Sequence, residues 1–560
     1  MRTLRRTVVA LTLTVVGCAQ DGVDYADLVF RGGTVYTVDA DVPTAEAVAV
    51  RGSRIVYVGD ELGVEALIGP STEVVDLTGR MLLPGFHDTH VHPTSGGIEL
   101  GECDLNGAAT RAEVVRIVRG CGEDGDPDGW VRGGGFDLPL FPDGAPSREL
   151  LDSLVPDRPA FLTSADAHTG WANSRALEIA GITEATPDPP PDGIIVRAAD
   201  GRAQGTLRES AMGLVARHLP DYTDVEIRQG LERGIAMATS FGITTVHEAN
   251  ASEPFVRAYA ALAREGRLHA RAIIGQALDL SRGPAQVADL VRIREENASA
   301  LVHPTAAKIF LDGVIEGQTA ALLEEYEDRP GWRGELTLPP EELEALVEAL
   351  DAGGFKVHVH AIGDRAIRVA LDAFEAQAER DGGAGPRHVM AHIQLIDPAD
   401  IPRFAELGVV ASFQPLWFFA DSYITDLTEP RLGPARSRWL YPARSLLETG
   451  AVMAAGSDWS VSSMDPLQAI EVAVTRRDPT LDTGAPWIPD EVLDLETMLS
   501  AYTLQGAIAG DMDDVTGTIT VGKLADLVVL DADLLSLPPE RISDAKVVMT
   551  LLEGRVVYRR

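Results

Sequence analysis

The chain has 560 residues, 45% of them apolar and 24% charged, the composition of a globular protein rather than a disordered one and enough length for a large barrel plus a smaller domain. Its 85 acidic residues outweigh 48 lysines and arginines, giving a formal net charge of −37, which argues against a nucleic-acid partner, since that needs basic surface. Lys308, Lys356, Lys523 and Lys546 are the only lysines, so arginine carries nearly all the positive charge and a retained primary amine is a candidate for special chemistry.

The N-terminus reads as an export signal. Arg2, Arg5 and Arg6 form a basic head, and the apolar stretch from Thr7 to Gly17 is too short to span a bilayer stably. It closes on Val15-Val16-Gly17-Cys18, which is similar to a bacterial lipobox. Residues 1–17 would then be removed and Cys18 lipidated, leaving the protein anchored at the cell envelope, on the periplasmic or outer surface, with that lipid as its membrane contact. Arg5-Arg6 offers a weak twin-arginine variant of the signal. An ordinary signal peptide and an uncleaved anchor helix are the alternatives.

Residues 24–83 alternate strand-like runs, such as Ala47-Val-Ala-Val-Arg51 and Arg54-Ile-Val-Tyr-Val58, with glycine turns, an antiparallel β pattern. The C-terminal residues 511–560 repeat it in Gly517–Thr520, Asp526–Leu530, Val547–Leu551 and Arg555–Tyr558. Neither end alone has enough strands for a covered sheet, so the two are predicted to form one small β-sandwich. Within the first strand past residue 84, His90 and His92 stand two apart, so both imidazoles point the same way and offer half of a metal site, a hydrogen-bonded core or surface pair being the alternative. Cys103 and Cys121 are the cysteines left after Cys18. In an oxidising compartment such a pair is expected to form a disulfide, two buried free thiols being the alternative.

From 84 to about 510, short apolar strands alternate with helical stretches, the signature of an α/β fold with parallel βα units. Candidate strands are the one ending at His90, Ala160–Thr163, Thr244–His247, Ala307–Phe310, Lys356–His360, His388–His392, Val409–Ser412 and Val452–Ala455, the number needed for a closed (β/α)8 TIM-like barrel. Residues 100–240 are long for one connection and rich in Pro, Gly and Asp, and are predicted to be an inserted lid that contributes one strand. Polar and metal-capable residues sit at or just past the strand ends: His90 and His92 on the first, Lys308 on the fourth, His360 on the fifth, His392 on the sixth, and Asp458 after the last. In a barrel those ends form the active-site face.

These residues carry a resemblance. Pro84-Gly-Phe-His-Asp-Thr-His-Val-His92, Lys308-Ile-Phe-Leu-Asp-Gly313, His360-Ala-Ile-Gly-Asp-Arg-Ala366, His392-Ile-Gln394, Gly456-Ser-Asp458 and Val521-Gly-Lys-Leu-Ala-Asp-Leu527 are similar to the motifs of the amidohydrolase superfamily of metal-dependent hydrolases, and within it to amidohydrolase family 3. The likeness runs nearly end to end. It implies that His90, His92 and Asp458 hold one divalent metal, zinc by preference, and that His360 and His392 hold a second where two are bound. Lys308, carboxylated by CO2, would bridge them, a role that a primary amine can take and arginine cannot; an ion pair with Asp312 is the alternative. Asp458 would shuttle the proton between metal-activated hydroxide and the leaving group, with Lys308 and His392 completing the catalytic set.

Other histidines are assigned by position. His358 shares strand parity with His360 and lies one layer deeper or faces substrate. His87 has the opposite parity to His90 and reads as structural, and His388 as a hydrogen-bonded core residue. His168, in Asp166-Ala-His168, and His247, at a strand end, are candidates for substrate binding, with Arg208, Glu209 and Trp417 as weaker ones. The expected reaction is hydrolysis of a carbon–nitrogen bond of non-peptide amide type in a small-molecule substrate. Lactone, ester or phosphotriester hydrolysis on the same site and a non-catalytic ligand-binding lipoprotein are the alternatives. The deaminase branch of the superfamily carries a glutamate three residues after the fifth-strand histidine; Gly363 stands there, which disfavours ring deamination. The sequence gives no oligomeric state.

Overall fold

The computed structural model describes residues 24–124, 129–189, 192–382, 386–481 and 484–560; the export segment and Cys18 lie outside the described residues. Eight parallel strands, labelled here in chain order, form the central barrel: β1 (Phe86–Val91), β2 (Ile243–Ala251), β3 (Arg271–Ala277), β4 (Val302–Phe310), β5 (Lys356–Ala361), β6 (Val389–His392), β7 (Val410–Phe413) and β8 (Met453–Ala455). Every residue of β1, β5, β6, β7 and β8 is buried, which is why these strands read as short apolar runs instead of alternating ones.

The seam between β8 and β1 is joined just past β8, where Asp458 N–H donates to His90 O at 2.6 Å and His92 N–H to Trp459 O at 2.9 Å. Gly456 makes this possible. A Cβ there would lie 2.5 Å from His90 N, so only glycine permits the approach.

The predicted count of eight holds, but one member differs. Ala160–Ser164 is a strand outside the barrel, and Arg271–Ala277 takes the third place. The β3 sequence hides its strand behind an arginine at its start and Gly275-Gln276 near its end, while Ala160-Phe-Leu-Thr has the apolar run that periodicity alone cannot assign to one sheet or another. His247 consequently lies on the second strand, not the third.

The inserted segment builds its own six-stranded sheet, from Cys103–Asp104 through Val131–Phe136, Ala160–Ser164 and Thr169–Ala172 to Ala203–Arg208 and Ile194–Arg197. A disulfide joins Cys103 to Cys121, which is on the helix Arg111–Glu123. The helix Asp224–Ser240, included in the predicted lid, belongs to the barrel. Thr223 and Glu226 cap its start reciprocally, and Ile227, Leu231, Ile235 and Ala238 recur at helical spacing on its core face.

Strands from both chain ends join in one hydrogen-bonded order of eight strands beside the barrel, the small β domain expected from the two ends. Leu527–Leu530 runs antiparallel to Met81–Pro84, and Phe30, Val48 and Val50 share a core with Leu527, Val529 and Leu551. Residues 517–520 form no strand there, although Ile519 N–H donates to Thr37 O at 2.8 Å. This sheet is tied to the barrel by Arg271, the first residue of β3, whose buried guanidinium meets Asp526 at 2.6 Å and Glu553 at 3.0 Å. Among the described residues no helix is long and apolar enough to cross a membrane.

Candidate active site and metal centre

The C-terminal strand ends converge as their spacing predicts. His90 Nε2 and His92 Nε2 lie 3.5 and 3.2 Å from Asp458 Oδ1, and ligand atoms of these three residues fall within 4.8 Å of one another. Asp458 Oδ1 is buried yet has no hydrogen-bond partner. Two imidazole nitrogens face a carboxylate oxygen at close range without hydrogen-bond alignment, and a buried orphan of this kind needs an explanation. A shared cation supplies one: the donor set is imidazole and carboxylate, which suits a divalent transition metal.

The surrounding groups hold these ligands in place. His90 Nδ1 bonds His358 Nε2 at 2.8 Å, which puts His358 one layer deeper and leaves His90 Nε2 facing the centre. His392 Nδ1–H donates to Gln414 Oε1 at 2.8 Å, and the ring stacks on Trp417 with centroids 5.7 Å apart. Burial pushes the imidazoles of His90, His358 and His360 well below their ordinary pKa and that of His392 to about 3, so these rings are neutral, the form that ligates metal. Burial alone would raise the Asp458 carboxyl. The imidazoles of His92 and His392 and the Lys308 amine outweigh it and hold the group below the usual carboxylate range.

Lys308 Nζ lies 3.3 Å from His90 Nε2 and 4.6 Å from the centre of the Phe310 ring. Burial lowers its pKa to about 7, with Asp458 opposing the shift. The alternative partner, Asp312, is engaged elsewhere, accepting the backbone N–H groups of Ala321, Ile362 and Gly363 at 2.9 to 3.0 Å. Burial pushes its carboxyl up to about 7. His360 reaches the centre with its ring 4.5 Å from that of His392, but its Nε2 is turned to Gly313 O at 3.3 Å, leaving Nδ1 as the nitrogen free to ligate. The compact three-ligand group is therefore His90, His92 and Asp458, with Lys308, His360 and His392 around it.

Several residues that position the centre carry no signal in the sequence. Asp88, on the opposite parity from His87, accepts from Ser457 N at 2.9 Å, Ser457 Oγ at 2.5 Å and His90 N at 3.2 Å, and so ties β1 to the turn that presents Asp458. Burial raises its pKa to about 7. Glu248 accepts from Thr94 Oγ1 and Tyr259 through Oε2, while its Oε1, without a hydrogen-bond partner, stands 3.8 Å from His92 Nδ1. His392 and Asp458 both adopt positive φ, 77° and 53°. Non-glycine residues rarely do so, and such strain clusters at functional sites.

His168 does arrive at the site, from the turn between two strands of the inserted sheet. Its ring lies 5.1 Å from that of His360, and its Nδ1 bonds Glu209 Oε2 at 2.8 Å. Burial works against its charge, but Glu209 outweighs burial and raises the imidazole to about 9. Glu209 in turn accepts from Thr319 at 2.6 Å. His247 is not brought in. Its neighbour Glu248 approaches His92, while His247 is buried deeper in the barrel, its ring 6.4 Å from that of His87, against Gly510 and close enough to His358 to act on its imidazole. His388 is a core residue, accepting from Val357 N at 3.1 Å and stacked on Phe374.

Above the strand ends opens a cavity of about 390 Å³, lined by His168, His360, His392 and Asp458 and by the aromatic residues Trp417, Phe419, Tyr423 and Tyr441. Space for a glutamate at position 363 is absent. A Cβ on Gly363 would fall 2.1 Å from Ala321 O, and the glycine's own N–H is needed by Asp312.

Comparison with known proteins agrees with this geometry. The chain is 32% identical over 544 residues to the protein LONG AFTER FAR-RED 3 of Arabidopsis thaliana, covering 95% of this chain and 92% of the relative. It is 29% identical over 551 residues to the N-substituted formamide deformylase of Arthrobacter pascens, covering 95% and 98%. In fold it is similar to an uncharacterized metal-dependent hydrolase from Pyrococcus horikoshii OT3, with a TM-score of 0.72, 24% identity and coverage of 91% and 99%. Residues 73–558 match the model of the amidohydrolase family, and the chain belongs to that family of metal-dependent hydrolases.

Proposed function

We propose that the protein hydrolyses carbon–nitrogen bonds of non-peptide amide type in a small molecule, with Asp458 as the group that moves the proton. The observation that carries this reading is the unpartnered Asp458 Oδ1 held between His90 Nε2 and His92 Nε2 at the floor of the cavity. The deformylase among the relatives, by its name, acts on such a bond. His90, His92 and Asp458 would hold a zinc ion. Bound there, the ion supplies Lewis acidity and lowers the pKa of water to about 7. Asp458, kept ionised by its imidazole neighbours, takes a proton at its carboxylate and delivers it to the departing nitrogen. His168, held by Glu209, presents its ring to the opposite wall and binds substrate there.

Lys308, His360 and His392 would serve a second ion, with Lys308 carboxylated as the bridge. A buried primary amine beside His90, with Asp312 committed to backbone donors, is the support for that assignment. The protein is exported and lipid-anchored through Cys18 in this reading, which labelling with a radioactive fatty acid in a bacterial host and its loss in Cys18→Ser would test.

The function is tested by metal analysis and by turnover of formamides, other amides, lactones, esters and phosphotriesters, with and without chelator. Metal-dependent turnover of amide-type substrates supports the reading. Turnover confined to esters, lactones or phosphotriesters overturns the bond type, and fewer than about one metal per chain overturns the hydrolase.

A further inference from the structure

The walls of the cavity carry mostly negative charge. Besides Asp458, the carboxylates of Asp137, Asp166, Glu316 and Asp421 line it, and among the described residues no lysine or arginine does. Glu316 is buried and the other three are half-buried, and burial comes first among the causes that raise Asp137, Asp166 and Asp421, the last to about 6. Their mutual repulsion adds to it: Asp166 raises Asp137, Glu316 raises Asp166, and Glu316 and Asp137 raise Asp421. Burying like charges together is costly unless something compensates them.

Compensation from the protein is incomplete. Glu316 Oε1 accepts from Gln394 at 2.8 Å and from Thr428, and Asp421 accepts from Ile424 N at 2.9 Å. Asp166 uses Oδ1 on Ser164 and on the backbone of His168, but its Oδ2 is shielded from solvent and has no hydrogen-bond partner. Arg208 acts on Asp166 through its charge, while its hydrogen bonds go to the carbonyls of Gly317 and Asp143 and its Nε makes none. The one cationic group on the wall, His168, is matched by Glu209 behind it. The remaining wall is aromatic, with Trp417, Phe419, Tyr423 and Tyr441 facing the same space.

We propose that this cavity selects a substrate carrying an organic cation, an amine or quaternary ammonium on an apolar or aromatic frame, seated between Asp137, Asp166, Asp421 and the aromatic wall. Carboxylates supply the charge and the ring faces attract the cation once water is excluded. The reacting amide then points down to His90, His92 and Asp458. The orientation of the reacting end rests on the hydrolase reading; the cation site does not.

The test is binding, measured by calorimetry on the metal-loaded full chain, with choline against its neutral isostere 3,3-dimethyl-1-butanol and with benzyltrimethylammonium against benzyl alcohol. Each cation is expected to bind at least about tenfold more tightly than its neutral counterpart. Asp421→Asn and Asp166→Asn are each expected to reduce that preference by about fivefold or more, leaving the neutral ligand unaffected. A preference below about twofold in the unmodified protein overturns the proposal without reference to any variant, as does a preference that Asp421→Asn leaves intact in a folded protein. Cation binding without amide turnover would sink the hydrolase reading alone; turnover of neutral amides without cation preference would sink this inference alone.

Discussion

Replacing Asp526 with alanine is expected to cost about 3–5 kcal/mol of stability while leaving the chemistry at the strand ends intact. Asp526 belongs to the stretch by which the chain re-enters the small sheet. Its carboxylate accepts from Arg271 Nη1 at 2.6 Å, Thr516 Oγ1 at 3.1 Å and Glu553 N at 2.7 Å. Both Asp526 and Arg271 side chains are 0% exposed. Removing the carboxylate therefore leaves a guanidinium in the interior, with Thr245 and the 24%-exposed Glu553 as its remaining partners. Two neutral donors also lose an acceptor, and these contribute about 1 kcal/mol each to that total. The assay is urea unfolding of the metal-loaded protein followed by circular dichroism and by tryptophan fluorescence, a free energy being taken only where the two transitions coincide. Turnover per bound metal should not change, because Arg271 opens β3 at the end of the barrel away from the site. The double variant Arg271→Met/Asp526→Leu removes both charges and should recover more than half of the loss. A cost below about 1 kcal/mol for Asp526→Ala, or a double variant as unstable as the single one, would refute the reasoning.

Four other outcomes are expected. Asp458→Asn keeps an oxygen near His90 and His92 and should retain metal while turnover falls by about 10² or more, read by metal analysis beside initial rates. Glu248→Gln should loosen His92 and weaken metal affinity by about 10- to 100-fold in chelator competition, the usual effect of losing a group that orients a ligand. Gly363→Ala puts a methyl against Ala321 O and should destabilise by about 1–3 kcal/mol, seen as a lower melting temperature. Replacing Cys103 and Cys121 by serine opens a loop of 18 residues and should cost the inserted unit about 3 kcal/mol, measured against the unmodified protein with and without reductant.

The sequence reveals residues whose chemistry coincides with a regular period. His90 and His92 alternate on a strand that ends at the right face, and Lys308, His360 and His392 sit at equivalent ends of β4, β5 and β6, so their convergence follows from the barrel count. Positions fixed by a turn or by another segment's reach stay hidden. Asp88 looks like one more polar residue until Ser457 folds back onto it. Glu248 and His247 are adjacent in sequence, and only the observed strand shows that Glu248 is the one beside His92. The third barrel strand escapes because Arg271, which breaks its apolar run, is buried in an ion pair with residues some 255 and 282 positions away.

The division between legible and hidden residues follows a division of labour in the site. The floor is made by strand ends, where geometry is rigid and the residue types are dictated by what a metal can ligate. The walls come from elsewhere: Asp166 and His168 from the inserted sheet, Glu316 from the segment after β4, and Trp417, Asp421 and Tyr423 from the segment after β7. Loops of this kind can change without disturbing a barrel, so the floor determines that a bond is hydrolysed and the walls determine whose. Gly363 shows the two layers meeting. Its backbone serves Asp312, which organises the ends of β4 and β5, and its missing side chain keeps the cavity from holding the glutamate that ring deamination would need.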